Sequence, residues 1–299
     1  MGSHGPAWSA LTAACIAKRK QLRYSPDRQQ SLFDALETWP VSRPQSEVQL
    51  PNRAYRPVFI VGMHRSGTTL LESLLAGHPQ VADGGESYSF TVEAKYLMNR
   101  QWDGVVDAEA IRWFGGIAPS SLQRLAERYR ERNGWRAAQR AVLTEKLPSN
   151  VLVLGPIAEA LPEALFLHVR RDAVETCFSN FRTLFSTACG YSYDIQELAA
   201  YYRGYERLMA RWRSCYGARI LDIDFERLTR EPDLVMRDVE RFLGLASGGS
   251  GCAEGQPHRR TVTSASAVQV RSAIAPRTPA ATSYPMFVET LRRCGIGGR

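Results

Sequence analysis

The stretch PVFIVGMHRSGTTLLESLL, residues 57–75, limits the fold more than any other part of the chain. Val58 to Val61 form a short apolar run and read as a strand. GMHRSG then turns the chain. Leu70, Leu71, Leu74 and Leu75 resume at helical spacing, so a helix opens at Thr68. A strand, a glycine-bounded loop and a helix in this order aim backbone N–H groups at one point, which favours an anion. Gly62 and Gly67 allow close approach. Thr68 and Thr69 offer hydroxyl donors, and Arg65 offers a cation from within the loop. The spacing is that of a phosphate loop, but Thr68 stands where a nucleotide triphosphatase has lysine. In such enzymes the lysine reaches the terminal phosphates and the following hydroxyl holds magnesium. Without that lysine, a smaller phosphate group that needs no metal fits better than a magnesium triphosphate. The plain alternative is a glycine-rich turn that binds nothing.

Further elements follow in alternation. Helical patterns cover 7–39, 87–98 and 120–132. Val142 to Glu145 is a short strand ahead of KLPSN, and a helix carrying Val151, Leu152, Leu154, Ile157 and Leu161 comes next. LFLHV, 165–169, is a strand, Asp172 opens a helix, and 194–213 is a long amphipathic helix. Ile220 to Phe225 reads as a strand. A last helix has Pro232 and Asp233 in its first turn and ends near Gly244. Such alternation predicts an α/β fold: a parallel sheet flanked by helices on both faces, in a single domain. Residues 1–56 read as a tag remnant (Gly-Ser-His after Met1), a helical cap and a connector. Residues 57–299 read as the main domain, with a Gly/Ser-rich stretch at 246–262 and an irregular C-terminal segment.

Charge narrows the partners. The formal net charge is +8, and all basic residues except Lys18, Lys20, Lys95 and Lys146 are arginines. Arginine forks onto phosphate and carboxylate oxygens, so an anionic partner is expected, although a solvated basic surface explains the charge equally well. Aromatic and basic residues do not interleave as in a nucleic-acid binder, and none is expected as partner. The six cysteines form no CxxC pair. Scattered thiols fit a reducing compartment, and no apolar run approaches the ~18 residues of a membrane span, so a cytoplasmic protein is expected.

A second motif is RRDAVETCFS. Arg171 stands at a strand end and Ser179 lies eight residues on, two turns along a helix. Together with VGMHRSGTTLLESLLAGHP it resembles the sulfotransferases that use 3′-phosphoadenosine 5′-phosphosulfate (PAPS). In that family the glycine loop takes the 5′-phosphosulfate, and the Arg–Ser pair takes the 3′-phosphate. Arg170 competes with Arg171, but the spacing favours Arg171. The resemblance covers roughly 57–275 and is closest to the tyrosylprotein sulfotransferases and their bacterial relatives. EKLPSN, 145–150, resembles the segment holding a catalytic lysine, here Lys146. DFERL, 224–228, matches a segment whose usual tyrosine is Phe225. SAVQVR, 266–271, resembles the segment that closes over the nucleotide, with Ser266 and Arg271.

The resemblance implies PAPS as donor, with adenosine 3′,5′-bisphosphate (PAP) as product and no metal. It implies cofactor contacts from His64, Arg65, Ser66, Gly67, Thr68, Thr69, Arg171, Ser179, Phe225 and Arg271. Catalytic roles fall to Glu86, Arg65, Lys146 and Ser266. Glu86, in VADGGESYSF, is the expected base; the competing reading has it favour a helix N-terminus. His64 ranks below it, His78 belongs in a turn, and His168 in the core. The tyrosines at 201, 202 and 205 read as packing. The expected acceptor is a tyrosine among acidic residues, received by arginines such as Arg182, Arg259, Arg260 and Arg271. The rivals are a carbohydrate or small-molecule acceptor, and a kinase with a degenerate loop. The family also leaves room for a homodimer.

Overall fold

The computed structural model describes residues 4–40, 55–185, 187–246 and 279–297. Ser266, Arg271, Arg259 and Arg260 lie outside them, as does nearly all of the Gly/Ser-rich stretch. The first elements are α1 (His4–Lys20), α2 (Pro26–Glu37), β1 (Arg56–Gly62), α3 (Thr68–Leu75), β2 (Val81–Asp83), α4 (Ser89–Met98), α5 (Ala108–Gly115) and α6 (Pro119–Ala137). Then come β3 (Val142–Lys146), a 3₁₀ turn (Pro148–Val153), α7 (Leu154–Ala160), β4 (Leu165–Arg170), α8 (Ala173–Phe181) and α9 (Ile195–Tyr216). β5 (Ile220–Asp224), α10 (Phe225–Arg230), α11 (Pro232–Leu243) and α12 (Pro285–Arg293) complete the described chain.

The five strands form one sheet in the order β2-β3-β1-β4-β5, and every neighbouring pair is parallel. β1 is central and buried on both faces, which is why it reads as an unbroken apolar run. Val58 and Ile60 pack with Leu70, Leu71 and Leu75 of α3 and with Val235, Met236 and Val239 of α11. Phe59 and Val61 point the other way, into a larger core that includes Phe33, Phe90, Tyr129, Phe166, Leu198 and Trp212. The Phe59 and Phe166 rings stack at 5.7 Å between centroids. The expected α/β architecture is therefore present, with helices on both faces.

The differences have local causes. The single helical pattern over 7–39 is two helices. Ser25 caps the second, its Oγ accepting from Arg28 N at 3.3 Å, and Pro26 takes its first position, where the missing N–H costs nothing. Leu32, Phe33 and Leu36 of α2 then join the main core. The helix expected around Val151 starts as a 3₁₀ turn and becomes α-helical only at Leu154. Phe225 begins α10 rather than ending β5. Asp224 caps that helix by accepting from Arg227 N at 2.8 Å. The three-residue β2 and α5, capped by Asp107, had no counterpart in the sequence reading.

Chain order sets the site. From β1 the chain crosses past β3 to β2, whereas from β4 it steps the other way to β5. Connections leaving β1 and β4 in opposite directions open a crevice at their C-terminal ends, where ligands of open α/β sheets bind. Among the described residues no helix is long and apolar enough to cross a membrane.

Candidate active site

All five strand ends feed one edge of the sheet. β1 contributes the loop 63–67, β2 leads to Glu86, β3 ends on Lys146, β4 leads to Arg171, and Phe225 follows β5. Gly62 lies where β1 meets β4. A Cβ there would stand 2.7 Å from Val169 O and 2.8 Å from Ser66 Oγ, so no side chain fits. Gly67 has φ +105°, and a Cβ there would collide with the Phe225 ring. Arg65 also has positive φ, at 68°, an uncommon state for a non-glycine residue that a functional loop often holds. No side chain caps α3 at Gly67, so the first-turn amides are free to face an anion. Ser66 is buried and its Oγ has no hydrogen-bond partner.

The β4 side closes on this loop. Arg65 Nε donates to Ser179 Oγ at 3.2 Å, and Arg171 Nη1 donates to Arg65 O at 3.4 Å. Asn180 Nδ2 donates to His64 O at 2.7 Å. The Arg171 guanidinium stands 5.0 Å over the Phe225 ring and 3.4 Å from Glu175. Burial, followed by the charges of Arg182 and Arg171, pushes the Arg65 guanidinium below its ordinary pKa. Burial is also the main cause lowering Arg171, with Glu175 and Glu226 opposing it. The Arg65, Arg171 and Arg182 guanidiniums thus gather at one crevice, Arg171 half-buried and the other two exposed, an arrangement that calls for an anion. A cleft of about 210 Å³ runs from the loop toward α9, lined by Ser66, Arg170, Arg171, His168, Tyr205 and Arg213. Arg171 is hydrogen-bonded to the loop, at the Arg65 carbonyl.

The β2–β3 side differs. Gly84 N donates to Thr144 O at 2.8 Å and Lys146 N to Gly85 O at 3.0 Å, which draws the GGES turn along β3. Glu86 and Lys146, 60 residues apart in sequence, consequently meet: Lys146 Nζ donates to Glu86 Oε1. The Lys146 side chain is 2% exposed and that of Glu86 45%. Beneath them, Glu72 of α3 places Oε2 3.7 Å from Lys146 Nζ. Burial pushes the Glu72 carboxyl up to about 8, with Lys146 opposing and Asp83 and Glu86 adding to the rise. His64 stands between the two sides, Nδ1 3.2 Å from Tyr191 OH. Burial lowers its imidazole to about 4, so the ring is neutral at neutral pH; Lys146 and Arg65 lower it further and Glu86 opposes them.

The expected site residues among those described therefore converge: His64, Arg65, Ser66, Gly67, Thr68, Thr69, Glu86, Lys146, Arg171, Ser179 and Phe225. His168 is a core residue, its Nδ1 2.6 Å from Asp222 and its Nε2 2.5 Å from Tyr205 OH. His78 lies in the turn after α3. Asn180, Tyr191, Glu175 and Glu72 were missed. Glu72 carried no usable signal, since a lone acidic residue in a short helix ordinarily faces solvent. Among the described residues no group of three or more His, Cys, Asp or Glu could hold a metal.

Residues 57–247 match the sulfotransferase family. This match spans more than half of the chain, and the chain belongs to that family, whose chemistry is sulfuryl transfer. An uncharacterized protein of Aquifex aeolicus is 27% identical over 277 residues, 90% of this chain and 36% of its own length. The chain thus spans about a third of that relative. Among solved structures, it is similar to the sulfotransferase STF1 of Mycobacterium tuberculosis, at 19% identity and TM-score 0.44, over 81% of this chain and 76% of that one. It is also similar to the sulfotransferase domain of the Synechococcus olefin synthase, at 20% identity and TM-score 0.45, over 83% and 98%. For the sulfotransferase STF9 of Mycobacterium avium the values are 14%, 0.47, 96% and 94%.

Proposed function

We propose that the chain transfers the sulfuryl group of PAPS to a tyrosine hydroxyl of an acidic peptide or protein. The observation that carries this reading is the joining of the loop to the β4 motif, through Arg65 to Ser179 and Arg171 to the Arg65 carbonyl. The site fits a two-phosphate ligand on three counts: uncapped α3 amides, an unpartnered Ser66 hydroxyl and three guanidiniums. Loop amides with Thr68 and Thr69 would hold the 5′ end, Arg171 and Ser179 the 3′-phosphate, and Phe225 would pack beside them. When bound, PAPS supplies the sulfuryl group and its phosphate leaving group. Arg65 and Lys146 provide positive charge on either side of His64. Glu86, with its half-open side chain, receives the acceptor proton; a phenol of pKa about 10 needs such a base. Ser266 and Arg271 are proposed as further contacts from the closing segment. The five cysteines among the described residues are unpaired, in line with a proposed cytoplasmic setting.

One observation favours a second reading. Tyr88, Val92 and Tyr96 lie four residues apart on one face of the α4 region and are 46%, 41% and 66% exposed, starting two residues after Glu86. An aromatic and apolar approach suits a small-molecule hydroxyl better than an acidic peptide. Incubation with radiolabelled PAPS, an acidic tyrosine peptide, a sugar panel and small phenols tests both. The main reading predicts label on the peptide and its loss in Glu86→Ala. Wild-type labelling in that variant rules out the assigned base, and label confined to sugars or phenols selects the second reading.

A further inference from the structure

Glu72 is the one acidic residue of α3, and it faces inward. Its side chain is 3% exposed. It sits under Lys146 at ion-pair distance, while Glu86 meets the same ammonium from the open side. We propose that Glu72 is a positioning residue for sulfuryl transfer: with Lys146 and Glu86 it forms a column of two carboxyls around one ammonium, and its own charge state sets how much of the Lys146 charge faces the reacting group. This rests on the sulfotransferase reading above.

The geometry carries the assignment. Lys146 ends β3 with its side chain enclosed, so Nζ has one carboxyl above and one below. Glu72 Oε1 is buried and receives no hydrogen bond. An oxygen in that state is a natural place for a proton, and Asp83, at the end of β2, lies within hydrogen-bond reach of the Glu72 carboxyl and can accept from it. The groups around Glu72 are Lys146 from β3, Asp83 from β2 and Glu86 from the turn after it. With Glu72 protonated, Lys146 has one full counter-charge, Glu86. Once Glu72 ionises, two carboxylates share the ammonium, and less positive charge remains for the transfer.

Two readouts follow. The carboxyl titrates at about 8, so its protonated fraction falls about tenfold between pH 7 and 9. Wild-type kcat, with PAPS and acceptor saturating, should fall over that range, by up to about the same factor. In Glu72→Gln the ratio of kcat at pH 7 to that at pH 9 should stay under about twofold, because the amide cannot ionise. Equal ratios in the two proteins overturn the proposal.

The second readout needs no substrate. The folded state raises the Glu72 pKa above its unfolded value. It therefore holds a proton that the unfolded chain releases, and stability is lost as pH rises from the unfolded value toward about 8. The melting temperature of Glu72→Gln should gain on wild type across that window and then level off. A constant difference contradicts the assignment. Should Glu72→Gln melt early at every pH, Glu72→Met, of similar length and no charge, takes its place in both measurements. A melting shift with no sulfated product from any acceptor sinks the sulfotransferase reading, and the positioning role with it. Transfer without the melting shift sinks the Glu72 proposal alone.

Discussion

The two sides of the site are charged in different ways. The β1–β4 crevice gathers Arg65, Arg171 and Arg182, with Glu175 and Glu226 offsetting part of their charge. The β2–β3 side sets one buried ammonium between two carboxyls. An excess of guanidinium suits a ligand that is always anionic. A balanced column suits a group that must give up a proton during the reaction. The difference teaches that the two flanks of β1 suit different tasks, and on the proposed function binding falls to one and chemistry to the other, with the neutral His64 between them.

Breaking the column should have the largest effect. Glu86→Gln keeps the shape but removes the proposed base, and kcat should fall by about 10²–10⁴ with little change in PAP affinity, measured by steady-state kinetics beside calorimetry. Weakened PAP binding with kcat retained would place Glu86 on the wrong flank. Arg65 borders both sides, and Arg65→Ala should lower kcat by about 10²–10³ while also weakening PAP. A purely cofactor-binding role predicts that saturating PAPS restores kcat.

Arg171→Ala should act on the crevice alone. Loss of charge-assisted bonds worth about 1.5–3 kcal/mol weakens PAP by about ten- to a hundredfold and leaves the kcat pH profile unchanged. The same substitution at Arg170, exposed at the end of β4, should weaken PAP less, because Arg171 is the arginine hydrogen-bonded to the loop carbonyl. Phe225→Leu should have the smallest effect. It removes the ring stacked under Arg171 and packed over Gly67, and a cation–π contact of about 0.5–1 kcal/mol corresponds to a two- to fivefold loss of PAP affinity.

The crevice was largely legible in the sequence because its parts are local patterns. An apolar run, two glycines and a leucine spacing define β1, the loop and α3, while the Arg–Ser interval took its meaning from the family resemblance. The column was legible only by resemblance. Glu86 and Lys146 meet because β2 pairs with β3 and the GGES turn follows β3, and no local pattern states that order. Glu72 stayed hidden because an acidic residue in a short helix normally reads as a solvent contact. Its inward position follows from the crowding of α3 against β1, β2 and β3. The break at Ser25–Pro26 was different: its cap and proline were visible, but the continuous run of helix-forming residues obscured them. For Ser266 and Arg271, resemblance remains the only guide.

On the proposed function, this edge of the sheet holds a nucleotide with two separate phosphates and needs no metal to do so. Calorimetric titration with PAP in the presence of a chelator tests it most directly. The expected result is one site per chain, with affinity that falls in Arg171→Ala and with rising salt. Absence of PAP binding, together with magnesium-dependent binding of ATP, would contradict the account and turn the loop back into that of a kinase.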